Sequence, residues 1–426
     1  MIPTAWAHLA LPAIVALSIL LMLIRPRNIP EVYWVGGGAL LLVALRLLPL
    51  KVAGKAVGEG LDVYLFLIGM MLLSELARVH GVFDWLSSVA IRGANGSTAR
   101  LFTLIYGIGT LVTIFMSNDA TAVVLTPAIL SAVRKAKVEP LPHLFVCAMV
   151  ANAASFVLPI SNPANLVVFH TDMPSLGHWL ASFALPSALS IVTTYLVLRV
   201  VFRKDLHTSI KAEVQAAPLA KEGKLVLAGL GLMIAVLLTA STLRKDLGLP
   251  TCLVALAVAA VLSLVSRSNP LKLLREISWS TLVLVAGLFV LVDAIEGVGA
   301  LHWTQMALAW AQKLPPAAGA YVVGSVVAVA NNLVNNLPLG LIAGGTLHAA
   351  HVQGLLAHAV LIGVDLGPNL SVTGSLATIL WLLALRKEKL DVSFWRFLRV
   401  GALAMPAALL LSLGGAILMR AMLHSS

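Results

Sequence analysis

The sequence has few charged side chains for its length. Charged residues make up 11% of the 426 residues, whereas hydrophobic residues make up 60%. A soluble domain carries about 25% charged residues, so this chain does not have enough charge to cover soluble surfaces. The formal net charge of +11 is better explained by the basic cytoplasmic loops of a membrane protein than by nucleic-acid binding, and no nucleic-acid partner is expected.

Cysteine is also scarce, since only Cys147 and Cys252 occur and both lie in apolar segments. Isolated thiols in such segments are usually packing residues, so we expect neither a disulfide nor a thiolate metal site. His348, His351 and His358 lack obvious carboxylate or thiolate partners, which favours a solvated loop over a metal site. We therefore predict no metal, no other cofactor and no enzymatic site.

What the sequence does contain is a succession of apolar segments separated by short polar breaks. A spanning helix needs about 20 apolar residues, and most of these segments have about that length. The segments cover 9–24, 32–48, 61–79, 101–131, 143–169, 180–201, 225–242, 250–266, 279–295, 318–347, 355–385 and 397–419. This pattern is typical of a polytopic membrane protein.

The two halves of the chain resemble each other. Conspicuous residues recur 218 positions apart, namely Gly69 and Gly287, Gly81 and Gly299, Trp85 and Trp303, and Asn118 and Asn336. The most polar stretch, 203–224, separates the halves. These features predict a first membrane repeat over 1–203, a cytoplasmic linker over 204–223 and a second membrane repeat over 224–426.

Asparagine-rich breaks interrupt two long apolar segments, at 117–121 and 331–336. The arms that flank each break have about 15 residues, too few to span a bilayer, so we predict two re-entrant hairpins. Further breaks at 161–165 and 365–374 contain the helix breakers Pro163 and Pro368 and predict two discontinuous helices. The predicted fold class is an all-α polytopic membrane protein, an inverted repeat of two halves with about ten transmembrane helices.

The distribution of basic residues predicts the orientation. Of the 29 Lys and Arg residues, 22 lie in loops on one side of this topology. That side is expected to be cytoplasmic in the inner membrane, and both termini are expected to be external.

Polar residues at the four breaks are the candidate site. Polar groups persist at membrane depth where they line a buried or wet cavity. The candidate solute-binding residues are Ser117, Asn118, Thr121, Asn162, Asn165, Asn332, Asn335, Asn336, Asn369, Ser371 and Thr373. The alternative is that these side chains hydrogen-bond neighbouring helices and bind nothing.

Asp119 and Asp365 are the two carboxylates within the breaks. Burial disfavours the charged form of a carboxyl group, so either residue can carry a proton in a transport cycle. The alternative is that each caps a half-helix. No break contains Lys or Arg, which suits a neutral polyhydroxyl solute, or a sodium ion beside Asp119.

Four strings in the sequence resemble the ArsB family of arsenite efflux permeases, within the ion transporter superfamily. They are MSNDATAVVLTPAIL (116–130), LPISNPANLVVF (158–169), NNLVNNLPLGLIAG (331–344) and GVDLGPNLSVTGSLATILWL (363–382). The resemblance implies export of arsenite and antimonite by proton antiport, and a cytoplasmic arsenite-stimulated ATPase as an optional partner. It also implies functional roles for the matching polar residues of these strings.

The residues agree with that implied substrate. Arsenite at neutral pH is mostly the uncharged trihydroxide, and a cage of amides and hydroxyls suits it. Three thiolates would be needed for tight thiol binding, so we expect Cys147 and Cys252 to be dispensable. The alternative is a sodium/proton antiporter or an anion transporter of the same superfamily. A membrane-embedded enzyme lacks its residues here, and inverted broken helices favour a carrier over a channel.

Overall fold

The computed structural model describes residues 4–24, 26–169, 173–210, 218–243, 247–266, 275, 277–297, 299 and 301–425. Within these ranges the regular secondary structure is helical, and one isolated antiparallel bridge joins Ser97 and Ser209. The predicted all-α class is confirmed. Parts of the predicted linker (211–217) and of one predicted basic loop (267–274 and 276) lie outside the described residues.

The α-helices follow one another along the chain with short connections. They are α1 (Thr4–Ile24), α2 (Glu31–Ala44), α3 (Leu50–Glu59), α4 (Leu61–Val79), α5 (Val82–Gly93), α6 (Thr98–Phe115), α7 (Thr126–Lys135), α8 (Pro140–Ala153), α9 (Pro163–Val168) and α10 (Leu176–Val201). The second half contains α11 (Lys221–Thr242), α12 (Gly248–Ser266), α13 (Trp279–Gly297), α14 (His302–Gln312), α15 (Pro316–Val334), α16 (Asn336–Ala349), α17 (Leu355–Leu366), α18 (Leu376–Lys387) and α19 (Phe394–Ser425). A π-helical turn, Ala120–Leu125, precedes α7.

Many of these helices have the length and composition of membrane spans. Seven described helices qualify, and α3 and α4, which meet at 48°, would make an eighth as one bent span. Shorter apolar helices such as α2 and α8 complete the apolar layer. The polytopic character predicted from the sequence is confirmed.

The chain breaks at the positions where the sequence predicts discontinuous helices. Between α8 and α9 the backbone forms a short 3-10 turn, Pro159–Ser161, and Asn162 caps α9 by accepting a hydrogen bond from the Ala164 amide at 3.0 Å. Between α17 and α18 there are two such turns, Gly367–Asn369 and Val372–Gly374. Ser375 caps α18 by accepting from the Thr378 amide at 3.1 Å.

The predicted hairpins have longer first arms than expected. α6 has 18 residues and α15 has 19, and by length and composition each could cross a membrane. α15 continues through Asn331 and Asn332 because their amides donate to the Val364 and Gly367 carbonyls of the neighbouring α17 segment. The prediction that all four arms are too short to span was therefore wrong for α6 and α15.

Each pair of arms nevertheless doubles back. In the second half, Gly319 near the start of α15 packs against the Ala311 carbonyl of α14. Thr346 near the end of α16 hydrogen-bonds Thr304, which is also in α14, at 2.8 Å. Both ends of the α15–α16 hairpin therefore lie beside α14. In the first half, α5 likewise contacts both α6 and α7.

The two halves interleave through close helix contacts. A Cβ atom on Gly69 of α4 would lie 2.7 Å from the Thr251 backbone of α12, and one on Gly287 of α13 would lie 2.9 Å from the Val35 side chain of α2. These glycines are 218 residues apart, so equivalent helices make equivalent contacts with the opposite half. The inversion of the halves across the membrane remains a prediction.

Candidate functional site

The two hairpin tips have the same backbone feature. Ser117 has a φ of 142° and Asn335 has a φ of 78°, and these residues are also 218 positions apart. Positive φ is unfavourable for residues other than glycine, and such strain collects at functional sites. The positive φ ends the first arm of each hairpin, so Asn118 and Asn336 begin the second arms.

The tips meet at one small cavity. Asn118, Asp119 and Asn336 line it, together with Asn162 from the start of α9. Its volume is about 10 Å³, which is room for about one water molecule. The tips of both halves thus converge on one small cavity.

Two of the amide oxygens at this cavity lack hydrogen-bond partners among the described residues. Asn118 and Asn336 are 2% and 3% exposed, and the Oδ1 atom of each has no hydrogen-bond partner among the described residues. Buried polar atoms in native proteins are normally hydrogen-bonded. These two acceptors are therefore available to a small molecule that donates hydrogen bonds.

The lining of this cavity contains little charge. Asp119 is its one ionisable residue, and the described lining contains no Lys or Arg. Apolar side chains, including Leu67 of α4 and Val285 of α13, complete the wall. The lining as a whole supplies hydrogen-bond acceptors from its Asn and Asp side chains, but it supplies no positive charge for an anion.

Asp365 lies just behind the cavity and connects the halves. Its side chain is completely buried, and its Oδ1 atom accepts a hydrogen bond from the Asn162 amide at 2.5 Å. Its Oδ2 atom has no hydrogen-bond partner within the described ranges. Because Asn162 also lines the cavity, one amide separates the Asp365 carboxyl group from the central space.

Several other candidate residues hydrogen-bond within the protein. Thr121 pairs with Thr113 at 2.8 Å inside the first hairpin. In the second half, the Ser371 hydroxyl donates to Asn332 Oδ1 at 2.7 Å, the Thr373 hydroxyl donates to the Asn332 carbonyl at 3.0 Å, and the Asn335 amide donates to the Thr373 carbonyl at 3.3 Å. These bonds hold the broken α17–α18 segment against the second tip.

Asn165 and Asn369 have similar bonding roles. The Asn165 amide donates to the Ser155 carbonyl at 2.8 Å and so fixes the turn before α9. The Asn369 amide donates to the Met149 carbonyl at 3.0 Å, and its Oδ1 atom accepts from the Asn152 amide at 3.0 Å. For these residues the geometry gives a structural role, and their contact with a solute remains a prediction.

Sequence reasoning missed Asn152 and Thr281. Asn152 is buried in α8 and joins that helix to the α17–α18 break. A single asparagine in a long apolar segment indicates a buried polar contact, so the sequence does mark Asn152. Thr281 lines the central cavity from α13, and an isolated threonine near a helix start gives no such signal.

A tight seam between α9 and α16 borders a much larger space. Gly344 of α16 packs against the backbone of α9, where a Cβ atom would lie 2.6 Å from the Val168 carbonyl oxygen. Gly344 and Val168 line this space, a vestibule of about 760 Å³, together with residues such as Phe169, His348 and His351. By the predicted topology this vestibule faces the outside of the cell.

The cysteines lie away from this site. Cys147 is fully buried and its thiol donates to the His143 carbonyl at 3.6 Å, whereas Cys252 is 8% exposed in α12. Neither lines the central cavity. Within the described parts of the chain, no group of three or more His, Cys, Asp or Glu residues is placed to hold a metal ion.

Comparison with known proteins identifies the family. The profile of the CitMHS family, described as citrate transporters, matches residues 4–364. The chain belongs to the CitMHS family.

Other relatives of this CitMHS protein are named for a different substrate. An arsenical pump membrane protein of Escherichia coli is 26% identical over 406 residues, which is 91% of this chain and 94% of that protein. An arsenical pump membrane protein of Yersinia enterocolitica is 28% identical, over 78% of this chain and 81% of its own length.

A solved structure shares the fold. The crystal structure of the Alcanivorax borkumensis YdaH transporter superposes with a TM-score of 0.57 at 16% sequence identity, over 88% of each chain. The family and the relatives named above show that this CitMHS protein is a multi-spanning membrane transporter of the ion transporter family and not an enzyme.

Proposed function

We propose that the protein exports trivalent arsenite and antimonite, as neutral trihydroxides, by proton antiport across the inner membrane, and so confers metalloid resistance. The observation that carries the proposal is the central cavity, where the Asn118 and Asn336 amide oxygens lack protein partners among the described residues. A trihydroxide has three O–H donors for such acceptors. The relatives named as arsenical pump membrane proteins support the same substrate.

The second candidate is transport of an anion such as citrate, which the description of the family favours. A carboxylate buried without a positive partner is strongly unfavourable. The cavity lining, as described, offers no Lys or Arg and contains the carboxyl group of Asp119. A tricarboxylate would therefore need accompanying cations, whereas a neutral trihydroxide needs none. A sodium/proton antiporter would also use the cavity oxygens, and sodium dependence separates it.

Asp119 and Asp365 are the groups we propose for proton coupling. Asp119 lines the cavity, and Asp365 reaches it through the Asn162 amide. A proton taken up on the outer side neutralises a carboxyl group in the closed protein, and its release to the cytoplasm resets the cycle. The cavity of about 10 Å³ is too small for a trihydroxide, so the tips must separate to load it.

Uptake of labelled arsenite into everted vesicles tests the function. We expect accumulation that follows an imposed pH gradient, does not depend on sodium, and is not reduced by excess citrate. Asp119→Asn and Asp365→Asn should each lower gradient-driven uptake at least tenfold, while exchange of arsenite without a gradient persists in at least one of them. Sodium-dependent uptake, competition by citrate, or full coupling in both variants would contradict the proposal.

The optional ATPase partner is proposed on the resemblance alone. If a cytoplasmic arsenite-stimulated ATPase binds this protein, uptake into everted vesicles should become ATP-dependent when that ATPase is co-expressed. If uptake depends on neither ATP nor the ATPase, the proposed partner is excluded, and the proposal of proton antiport is unaffected.

A further inference from the structure

A further cavity, here called the outer cavity, lies at the opposite end of the helices from the basic loops. It has a volume of about 510 Å³ and lies between the α14–α15 corner, the start of α17 and the end of α19. It adjoins the vestibule and shares six lining residues with it, namely Ser182, His351, Val352, Gln353, Gly354 and His358. The central site does not extend into it, because the two sets of lining residues have no member in common.

The polar side chains of this outer cavity are basic or neutral. Arg420 of α19, His351 and His358 line it, and Gln312 and Gln353 add amide groups. The described lining contains no Asp or Glu. Arginine stays positively charged at all physiological pH values.

Two helices begin at the same cavity and add to its positive potential. α15 begins at Pro316 and α17 begins at Leu355, and both starts line the cavity. No side chain caps either start. A helix N-terminus presents amide donors and partial positive charge, which reinforces the field of Arg420.

The remaining lining indicates what kind of anion fits. Leu314, Ala416 and Met419 form an apolar part of the wall. The nearby α19 residues Leu418 and Met422 are 48% and 54% exposed, as expected for side chains that face lipid. The cavity therefore combines an anion-binding end with an apolar edge at the membrane.

From this arrangement we propose that the outer cavity binds a phosphate ester, with Arg420 as its main contact. The chemistry suits the headgroup of an anionic phospholipid and, through the same groups, free inorganic phosphate. This site shares residues with the vestibule but none with the central cavity, so the proposal does not depend on the solute bound there. It links the second hairpin to α17 and α19, so an occupied site would stabilise that corner.

Thermal unfolding of the purified full-length protein in neutral detergent tests this site. The probes are phosphatidylglycerol, phosphatidylcholine and inorganic phosphate, each titrated against wild type, Arg420→Gln and Arg399→Gln. Arg399 is the matched control, because it lies exposed on the same helix but does not line the cavity. We expect Arg420→Gln to raise the half-saturating phosphatidylglycerol concentration at least tenfold, and Arg399→Gln to leave it within twofold.

The titration distinguishes a lipid headgroup site from a site for free anions and from the absence of a site. Stabilisation by phosphatidylglycerol alone identifies a lipid headgroup site, and stabilisation by phosphate as well identifies a site open to free anions. The proposal is overturned if neither stabilises the wild type, if phosphatidylcholine does so equally, or if the two arginine variants respond alike. Arsenite uptake in everted vesicles is a separate readout, so its failure would not be confused with failure of this site.

Discussion

The seam between α9 and α16 can be tested with a pair of neighbouring glycines. A Cβ atom on Gly344 would lie 2.6 Å from the Val168 carbonyl oxygen and 3.1 Å from that of Val167. Both obstacles are backbone atoms, so Gly344→Ala must push the two helices apart by several tenths of an ångström. Overpacking of this kind costs about 1–3 kcal/mol.

Gly345→Ala is a closely matched control. A Cβ atom there would lie 3.5 Å from the Leu301 side chain, which is an ordinary contact distance. Both substitutions lie in α16 and gain the same helix propensity, about 1 kcal/mol. The difference between them therefore isolates the clash at the seam.

If the seam closes the outer route, Gly344→Ala should shift the protein from the closed toward the outward-open form. A change of about 1–3 kcal/mol corresponds to about 5-fold to 150-fold in that equilibrium. The assay is labelling of Asn336→Cys, in a Cys147→Ala, Cys252→Ala background, by an impermeant thiol reagent added to right-side-out vesicles. We expect Gly344→Ala to accelerate labelling at least fivefold and Gly345→Ala to leave the rate nearly unchanged.

Two results would refute this reasoning. Equal labelling rates for the two alanine variants would show that the α9–α16 seam is not the outer barrier. Faster labelling in everted vesicles instead of right-side-out vesicles would show that the vestibule faces the cytoplasm, which would reverse the predicted topology.

Two further predictions concern residues away from the cavity. Cys147→Ala, Cys252→Ala should keep metalloid resistance, because neither thiol lines the site; lost resistance in a double variant that still inserts in the membrane would argue for thiol coordination. Asn369→Ala should lower the unfolding free energy by about 1–3 kcal/mol, because it removes two buried hydrogen bonds, one with the Asn152 amide and one with the Met149 carbonyl; an unchanged melting temperature with a higher half-saturating arsenite concentration would instead place Asn369 against the solute.

The sequence predicts the two hairpins because polar tips interrupt apolar runs, and the spacing of 218 residues between the halves pairs Asn118 with Asn336. The helix α15 is longer than the sequence predicts, because the Asn331 and Asn332 amides bond to the α17 segment and allow the helix to continue. Tertiary contacts of this kind decide where a helix ends, and a single sequence does not contain them.

The same limit applies to the site. Asn118, Asp119, Asn162 and Asn336 meet at the cavity, as their position at broken elements suggested. Other candidates, such as Thr121, hydrogen-bond inside the protein, because an asparagine or threonine in a break can equally satisfy the backbone that the break exposes. Composition and spacing do not separate these two uses.

The central claim is that Asn118 and Asn336 hold one neutral, hydroxylated solute between the two hairpin tips. A double-mutant cycle on arsenite uptake into everted vesicles tests it most directly. Asn118→Ala and Asn336→Ala should each raise the half-saturating concentration about five- to tenfold, as expected for one lost hydrogen bond of about 1–1.4 kcal/mol. Because both contact the same molecule, the double variant should differ from the product of the single effects. An unchanged half-saturating concentration in either single variant, or fully independent effects in the double variant, would contradict the claim.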